Sequence, residues 1–162
     1  MSTILVLLVI DFFAHSVQEI DGDEHQEIKI SYDQNTDIGA LTQEKQTAIL
    51  GMKIIELEIA DTEESRTLGL SGREKLEEDT GLLFVFEKPG YWGFWMKDMN
   101  FPIDIIWLDQ NFRIISIKSN VIPESYPEIF YPDALTSYVL EVNAGVVVKE
   151  GIKVNDTIVV EI

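Results

Sequence analysis

Cysteine is absent from the 162 residues, which excludes disulfides, thiolate catalysis, cysteine-ligated zinc, iron–sulfur clusters and a lipidated cysteine anchor. Histidine is nearly absent. His15 and His25 both precede residue 52, so the stretch from Met52 to Ile162 holds neither histidine nor cysteine. A Ser-His-Asp triad, a Cys-His pair, a histidine general base and a histidine-ligated transition metal all need a residue that stretch lacks. Basic residues are scarce, 12 against 29 acidic, and the formal net charge of −17 opposes adhesion to nucleic acid or to an anionic lipid surface. No nucleic-acid partner, no cofactor and no metal site is expected. Asp21, Asp23 and Glu24 are spaced like the start of a calcium loop, but the sixth-position glycine is missing and Tyr32 stands where the twelfth-position glutamate belongs.

Long hydrophobic runs are missing too. The apolar stretch from Ile4 to Ile10, followed after Asp11 by Phe12, Phe13 and Ala14, is too short to span a bilayer. It resembles the apolar part of a signal peptide, and Ala14-His15-Ser16 offers a small-x-small cleavage pattern, although no Lys or Arg precedes it and Asp11 interrupts it. Residues 1–16 are read as a signal or anchor segment, which places the protein outside the cytoplasm and confines any membrane contact to that segment. Residues 17–51 are polar and acidic without helical or strand periodicity and read as a linker. Both parts are acidic, −7 up to residue 51 and −10 beyond it.

What is present from residue 52 onward is a run of short apolar alternations separated by turn signals, the pattern of a single mainly β domain. A compact β-sandwich or barrel-like architecture with one to three short helices is expected over residues 52–162. Ile55, Leu57 and Ile59 alternate with polar neighbours as a strand with one buried face. Asp61 or Thr62 can cap a brief helix that Gly69 ends. Further strands are expected at Leu82 to Phe86, Tyr91 to Met96, Ile103 to Leu108, Phe112 to Ile117, Tyr138 to Val142 and Thr157 to Ile162, with Asp109-Gln110-Asn111 as a hairpin turn. The proline-bearing connection from Ser119 to Thr136 has the length of a functional lid.

Three clusters carry the candidate chemistry. In Gly93 to Ile106, strand alternation sends Phe94 and Met96 one way and Trp95 and Lys97 the other. The same alternation puts Asp104 on an inward face with Ile106 and Leu108, where a carboxylate must be paired or hydrogen-bonded. Lys97, Arg66 and Arg73 are the candidate cations. In Tyr138 to Gly145, Glu141 and Asn143 share a face that is either solvated or turned into a cleft. Arg66 and Arg73, set around two glycines, can clamp Asp104 or Glu141, or hold an anionic ligand.

These clusters, in this order, resemble the Domain of Unknown Function 192 family of prokaryotic proteins over Ile54 to Ile162. The resemblance is carried by Ala60-Asp61-Thr62 with Arg66, Gly69-Leu70-Ser71-Gly72-Arg73, Gly81-Leu82-Leu83-Phe84-Val85-Phe86 and Pro89-Gly90. It continues through Phe94-Trp95-Met96-Lys97-Asp98-Met99, Pro102-Ile103-Asp104-Ile105-Ile106, Leu140 to Gly145 and Gly151 to Asp156. This chain departs from the family pattern at Lys97-Asp98-Met99, where Lys-Asn-Thr is usual, at Ser71, where methionine is usual, and at Asn155, where glycine is usual. The resemblance implies a compact β domain with short helices, often exported or tethered, and no established activity.

The leading functional reading is an extracytoplasmic binding module for a small polar ligand, a saccharide among the candidates, without catalysis. Its site comprises Arg66, Arg73, Trp95, Lys97, Asp104, Glu141 and Asn143. A protein-interaction or accessory domain is the first alternative and predicts an exposed apolar patch. A carboxylate hydrolase such as a glycosidase, using Asp104 and Glu141, is the second. It requires the two carboxyls to face one cleft about 5 to 9.5 Å apart.

Overall fold

The computed structural model describes residues 45–162. The expected signal or anchor segment, and most of the expected linker, lie outside the described residues. The linker's end does not hold as linker, because Thr47–Leu50 forms a strand, β1, that pairs antiparallel with β2, Lys53–Ala60. Ala48 and Leu50 are buried there, so the folded part begins several residues before Met52. Helix α1, Glu63–Leu68, is closed at its start by a reciprocal capping box between Thr62 and Ser65 and ends at Gly69, as its sequence predicts. The remaining strands are β3, Thr80–Gly90, β4, Ile103–Leu108, β5, Ile114–Val121, β6, Thr136–Asn143, and β7, Val159–Glu161. A 3-10 turn at Pro123–Ser125 and a second helix, α2, Val146–Glu150, complete the set.

The strands form one sheet in the order β5-β4-β6-β3-β2-β1-β7. All neighbours are antiparallel except β2 and β3, and a parallel pair needs a crossover. Helix α1 and the loop after it supply that crossover. The sheet curls into a half-barrel until its two edges touch, with Arg113 bridging Thr157 and Ile158 N–H donating to the Phe112 carbonyl at 3.1 Å. Of the two β architectures expected, the barrel-like one describes the protein.

Two apolar clusters flank the sheet. The first draws on every strand together with α2, Val160 packing against it from β7, and includes Ile114 and Ile158 at the closing seam, so it fills the inside of the curl. The second lies on the outer face of β3, β4 and β6 and is covered by Leu70 and Leu76 of the crossover and by Met96 of the connection before β4. Strand β4 is buried along its whole length between them, which explains why Ile-Asp-Ile-Ile-Trp-Leu lacks clean alternation. Each large aliphatic side chain buried in this way contributes roughly 1.5–3 kcal/mol.

Tyr91 to Met96 does not form the expected strand and contributes a single bridge, Phe94 to Phe130. A Cβ at Gly93 would lie 2.5 Å from the Tyr131 ring, so the chain passes too close to the 122–135 connection for a regular ladder. The burial alternation nevertheless survives. Phe94 and Met96 face the second cluster while Trp95 and Lys97 face out.

Candidate functional site

The sheet register decides which candidate residues meet. Glu141 on β6 lies opposite Leu82 of β3 and Ile105 of β4, whereas Asp104 lies opposite Val142. Because side chains alternate across a sheet, Asp104 and Glu141 project from opposite faces. The carboxylate pair required by the glycosidase reading therefore does not exist. Asp104 is fully buried toward the inner cluster and has no cationic partner among the described residues. It accepts instead from the backbone N–H of Asn120 at 2.7 Å and of Val147 at 2.9 Å. Helix α2 begins at Gly145, which has no side chain to cap it, and Asp104 supplies the missing acceptor from the neighbouring strand. The expected ion pair with Lys97, Arg66 or Arg73 is thus replaced by a structural cap.

Two further candidates are also structural. Asn143 donates through Nδ2 to the carbonyls of Leu76 and Glu77, at 3.1 and 2.9 Å, and fixes the crossover loop. Arg73 makes a two-pronged pair with Glu58 at 2.8 and 2.7 Å. Those hydrogen bonds hold the Glu58 carboxyl below its usual range, against a partial desolvation.

The remaining candidates gather on the outer face. A cavity of about 230 Å³ lies between α1 and β3 and is lined by Arg66, Leu68, Phe84, Phe86, Trp92, Phe94, Trp95 and Met99, with Glu141 among them. Phe86 stacks on Trp92 at 4.0 Å, and Phe94 meets Phe84 edge-on at 4.7 Å. Trp92 is itself positioned by two hydrogen bonds: its carbonyl accepts from Trp107 Nε1 at 2.8 Å, and its Nε1 donates to the Thr136 carbonyl at 3.1 Å. Beyond Leu68 and Trp95 the cavity adjoins an outer groove of about 670 Å³ along α1, lined by Lys97, Asp98, Glu63 and Glu64. Trp95 is half exposed at the boundary, with the Lys97 ammonium 5.9 Å from its ring centre. The loops forming this wall are tied together, Gly72 N–H to the Asp98 carbonyl at 2.7 Å and Asn100 Nδ2 to the Arg73 carbonyl at 2.8 Å.

Glu141 is the unusual group. It is 5% exposed, and that sliver opens into the cavity. Burial pushes its carboxyl up to about 8, the charge of Arg73 pulling only partly the other way, and no hydrogen bond from the described residues enters the balance. At neutral pH it is a neutral acid, able to donate one hydrogen bond into an aromatic chamber. Arg66 is a second polar group in the lining. Its Nη1 donates to the carbonyls of Asp61 at 2.6 Å and Val85 at 2.9 Å, and the guanidinium lies 5.4 Å from the Phe86 ring centre.

Of the residues singled out from sequence, Arg66, Trp95 and Glu141 line the cavity, Lys97 joins them through the outer groove, and Arg73 acts on Glu141 through its charge. Asp104 and Asn143 lie elsewhere. Sequence reasoning missed Phe84, Phe86, Trp92 and Met99 as lining residues. A signal for the first two was present, since Leu82, Phe84 and Phe86 share one strand face.

The geometry defines a class: a small curled β domain with an aromatic cavity on the outer face of its sheet, roofed by the crossover helix. The chain belongs to the DUF192 family, described as Uncharacterized ACR, whose model matches residues 44–160. It is similar to a crystal structure from Sinorhizobium meliloti 1021, provisionally described as a transcription regulator, with 28% identity, a TM-score of 0.66, and coverage of 72% of this chain and 92% of that one. It is also similar to a protein of unknown function from Novosphingobium aromaticivorans DSM 12444, with 28% identity, a TM-score of 0.65, and coverage of 71% and 83%. No curated protein matches the chain.

Proposed function

We propose that the protein is a non-catalytic small-ligand-binding module acting outside the cytoplasm, with its ligand seated in the cavity between α1 and β3. One observation carries this reading: the largely buried Glu141 carboxyl, which no hydrogen bond from the described residues occupies, opens into the cavity. A few polar groups converging on a largely apolar concavity are what orients a small ligand, and this carboxyl is one of them. Trp95 at the mouth and the polar outer groove suit a saccharide or another small polar molecule lying across both chambers. The extracytoplasmic location draws its support from the apolar run Ile4 to Ile10.

The test is a thermal-shift screen of the full chain against saccharides, amino acids, nucleosides and small ring acids. A ligand at 100 times its dissociation constant stabilises the folded state by about 2.7 kcal/mol, a shift on the order of 10 °C for a domain of this size. Thr67→Trp, placed on the exposed side of α1 at the cavity wall, is expected to abolish the shift while leaving the unliganded midpoint unchanged. A blank screen would overturn the reading.

A second reading, a protein-interaction domain, draws on the exposed Trp95, Tyr126, Ile129 and Tyr131. Trp95 packs edge-on to Tyr126 at 5.9 Å, and Gly93 lies against Ile129 and Tyr131, so these side chains are contiguous beside the cavity mouth. A partner whose binding is lost in Tyr126→Ser/Tyr131→Ser and kept in Thr67→Trp would favour it.

A further inference from the structure

The ligand class can be narrowed from the charges that face the cavity, given the reading that the cavity holds a ligand at all. Three ionisable side chains line it: Glu63, Arg66 and Glu141. Glu63 is exposed at the mouth, where water and salt screen it. Arg66 is not. Its guanidinium is held against Phe86, and among the described residues no carboxylate lies within ion-pair distance of it. A guanidinium carries five N–H donors. Only Nη1 is engaged, by the carbonyls of Asp61 and Val85, so the donors on Nη2 and Nε have no described partner.

Glu141 adds a second donor of a different kind. Its neighbours in the sheet are Leu82 and Ile105, which carry no charge. The charged groups that face it are Arg73, already committed to Glu58, and Arg66 and Glu63 around the cavity. The buried surroundings keep it protonated at neutral pH, so it donates and does not repel an anion. The rest of the lining is ring and aliphatic surface, together with the Thr67 and Ser71 hydroxyls. The chamber thus presents one fixed positive charge, one buried carboxyl and a largely aromatic wall with two hydroxyls, in about 230 Å³, room for a single small ring.

We propose that the cavity is a receptor for a small ring-bearing carboxylate, whose ring packs among Phe84, Phe86, Trp92 and Phe94 and whose carboxylate lies between the free edge of Arg66 and the Glu141 carboxyl. An oxyanion satisfies both donors at once. A neutral amide or alcohol of the same shape leaves the guanidinium without a counter-charge, and an ammonium opposes it. The acid–carboxylate hydrogen bond exists only while Glu141 holds its proton. Binding at alkaline pH therefore requires uptake of one proton.

The test is a titration of the full chain with benzoate, benzamide and benzylamine, followed by calorimetry and by the fluorescence of the tryptophans at the cavity. Benzoate is expected to bind at pH 6 at least tenfold more tightly than benzamide, with benzylamine not binding. Its affinity is expected to fall toward tenfold per pH unit above about 8, with proton uptake visible as a buffer-dependent heat. Glu141→Gln keeps a donor and is expected to bind benzoate with a flat pH profile. Arg66→Met is expected to lose the preference for benzoate over benzamide, and Arg66→Lys, which keeps the charge without the fork, to retain part of it. Equal binding of benzoate and benzamide would overturn the carboxylate assignment while leaving a ligand-binding cavity in place. Binding of no ring compound would overturn the assignment, and the saccharide and amino-acid arms of the screen would then decide the broader reading separately. A pH profile unchanged in Glu141→Gln, or benzoate binding unaffected by Thr67→Trp, would also overturn it.

Discussion

Asp104 and Glu141 carry the same functional group one register position apart, and the sheet turns them to opposite faces. Asp104 receives two backbone N–H donors and serves α2, so its carboxylate is satisfied where it stands. Asp104→Asn would turn one acceptor into a donor facing an N–H, at an expected cost of about 1–3 kcal/mol in a urea denaturation, with ligand binding in the cavity unchanged. A variant that lost binding without losing stability would place Asp104 in the site after all. Asp98 illustrates a smaller effect. It adopts a left-handed backbone, φ 57°, at a position where the family pattern carries asparagine, and Asn155, φ 79°, stands where glycine is usual. Both family preferences match residues that tolerate that conformation. Asp98→Asn also removes a negative charge from an acidic chain and is expected to raise the denaturation midpoint by an amount equal to a few tenths to about 1 kcal/mol.

The elements were legible in the sequence where one face of a strand is buried and the other is wet. Strand β2 and helix α1 follow their alternation and caps, and β4 occupies the expected residues even though both its faces are buried. Strand β1 was hidden, because four residues following an acidic stretch carry no periodic signal and are held by pairing with β2 and β7. The hairpin turn after β4 falls at Asp109-Gln110-Asn111 as expected, with Asp109 accepting from the Asn111 and Arg113 N–H groups, and Phe112, in a left-handed conformation and stacked on Tyr138 at 4.4 Å, follows it. The site was half legible for the same kind of reason. Composition and alternation pointed to Glu141 and Trp95, but whether Asp104 joins them depends on register between strands distant in sequence, which no local pattern encodes. The closing seam is likewise nonlocal and carries its own expectation. Ile158→Ala, buried where the sheet edges meet, is expected to cost about 2–4 kcal/mol in chemical denaturation, whereas Val159→Thr, 55% exposed one residue on, should stay within about 0.5 kcal/mol. Equal effects would mean that the edges do not bear on each other.

At the scale of the whole molecule, two carboxylates shifted in opposite directions shape the dependence of stability on pH. Glu58 is held below its usual value by Arg73, so the stability it contributes is present above about 4.5 and is lost as pH falls through its folded value. It is partly exposed, and its share is correspondingly small. Glu141 acts in the reverse sense and more strongly. Its folded value of about 8 exceeds the ordinary 4.5, so between these limits the folded state holds a proton that the unfolded chain has released. Stability from this group is therefore full below about 4.5, falls by up to about 1.4 kcal/mol per pH unit as pH rises, and is exhausted above about 8. The total lies on the order of a few kcal/mol. Mutual repulsion in a chain of net charge −17 also grows as carboxylates ionise. The two contributions separate in Glu141→Gln, which keeps the shape and removes only the buried titration. Urea midpoints of the two proteins at pH 5, 7 and 9 are expected to converge at pH 5 and to diverge in favour of the variant by pH 9. Parallel curves would mean that Glu141 ionises in the fold as it does in water, and that the chamber is wetter than its aromatic lining implies.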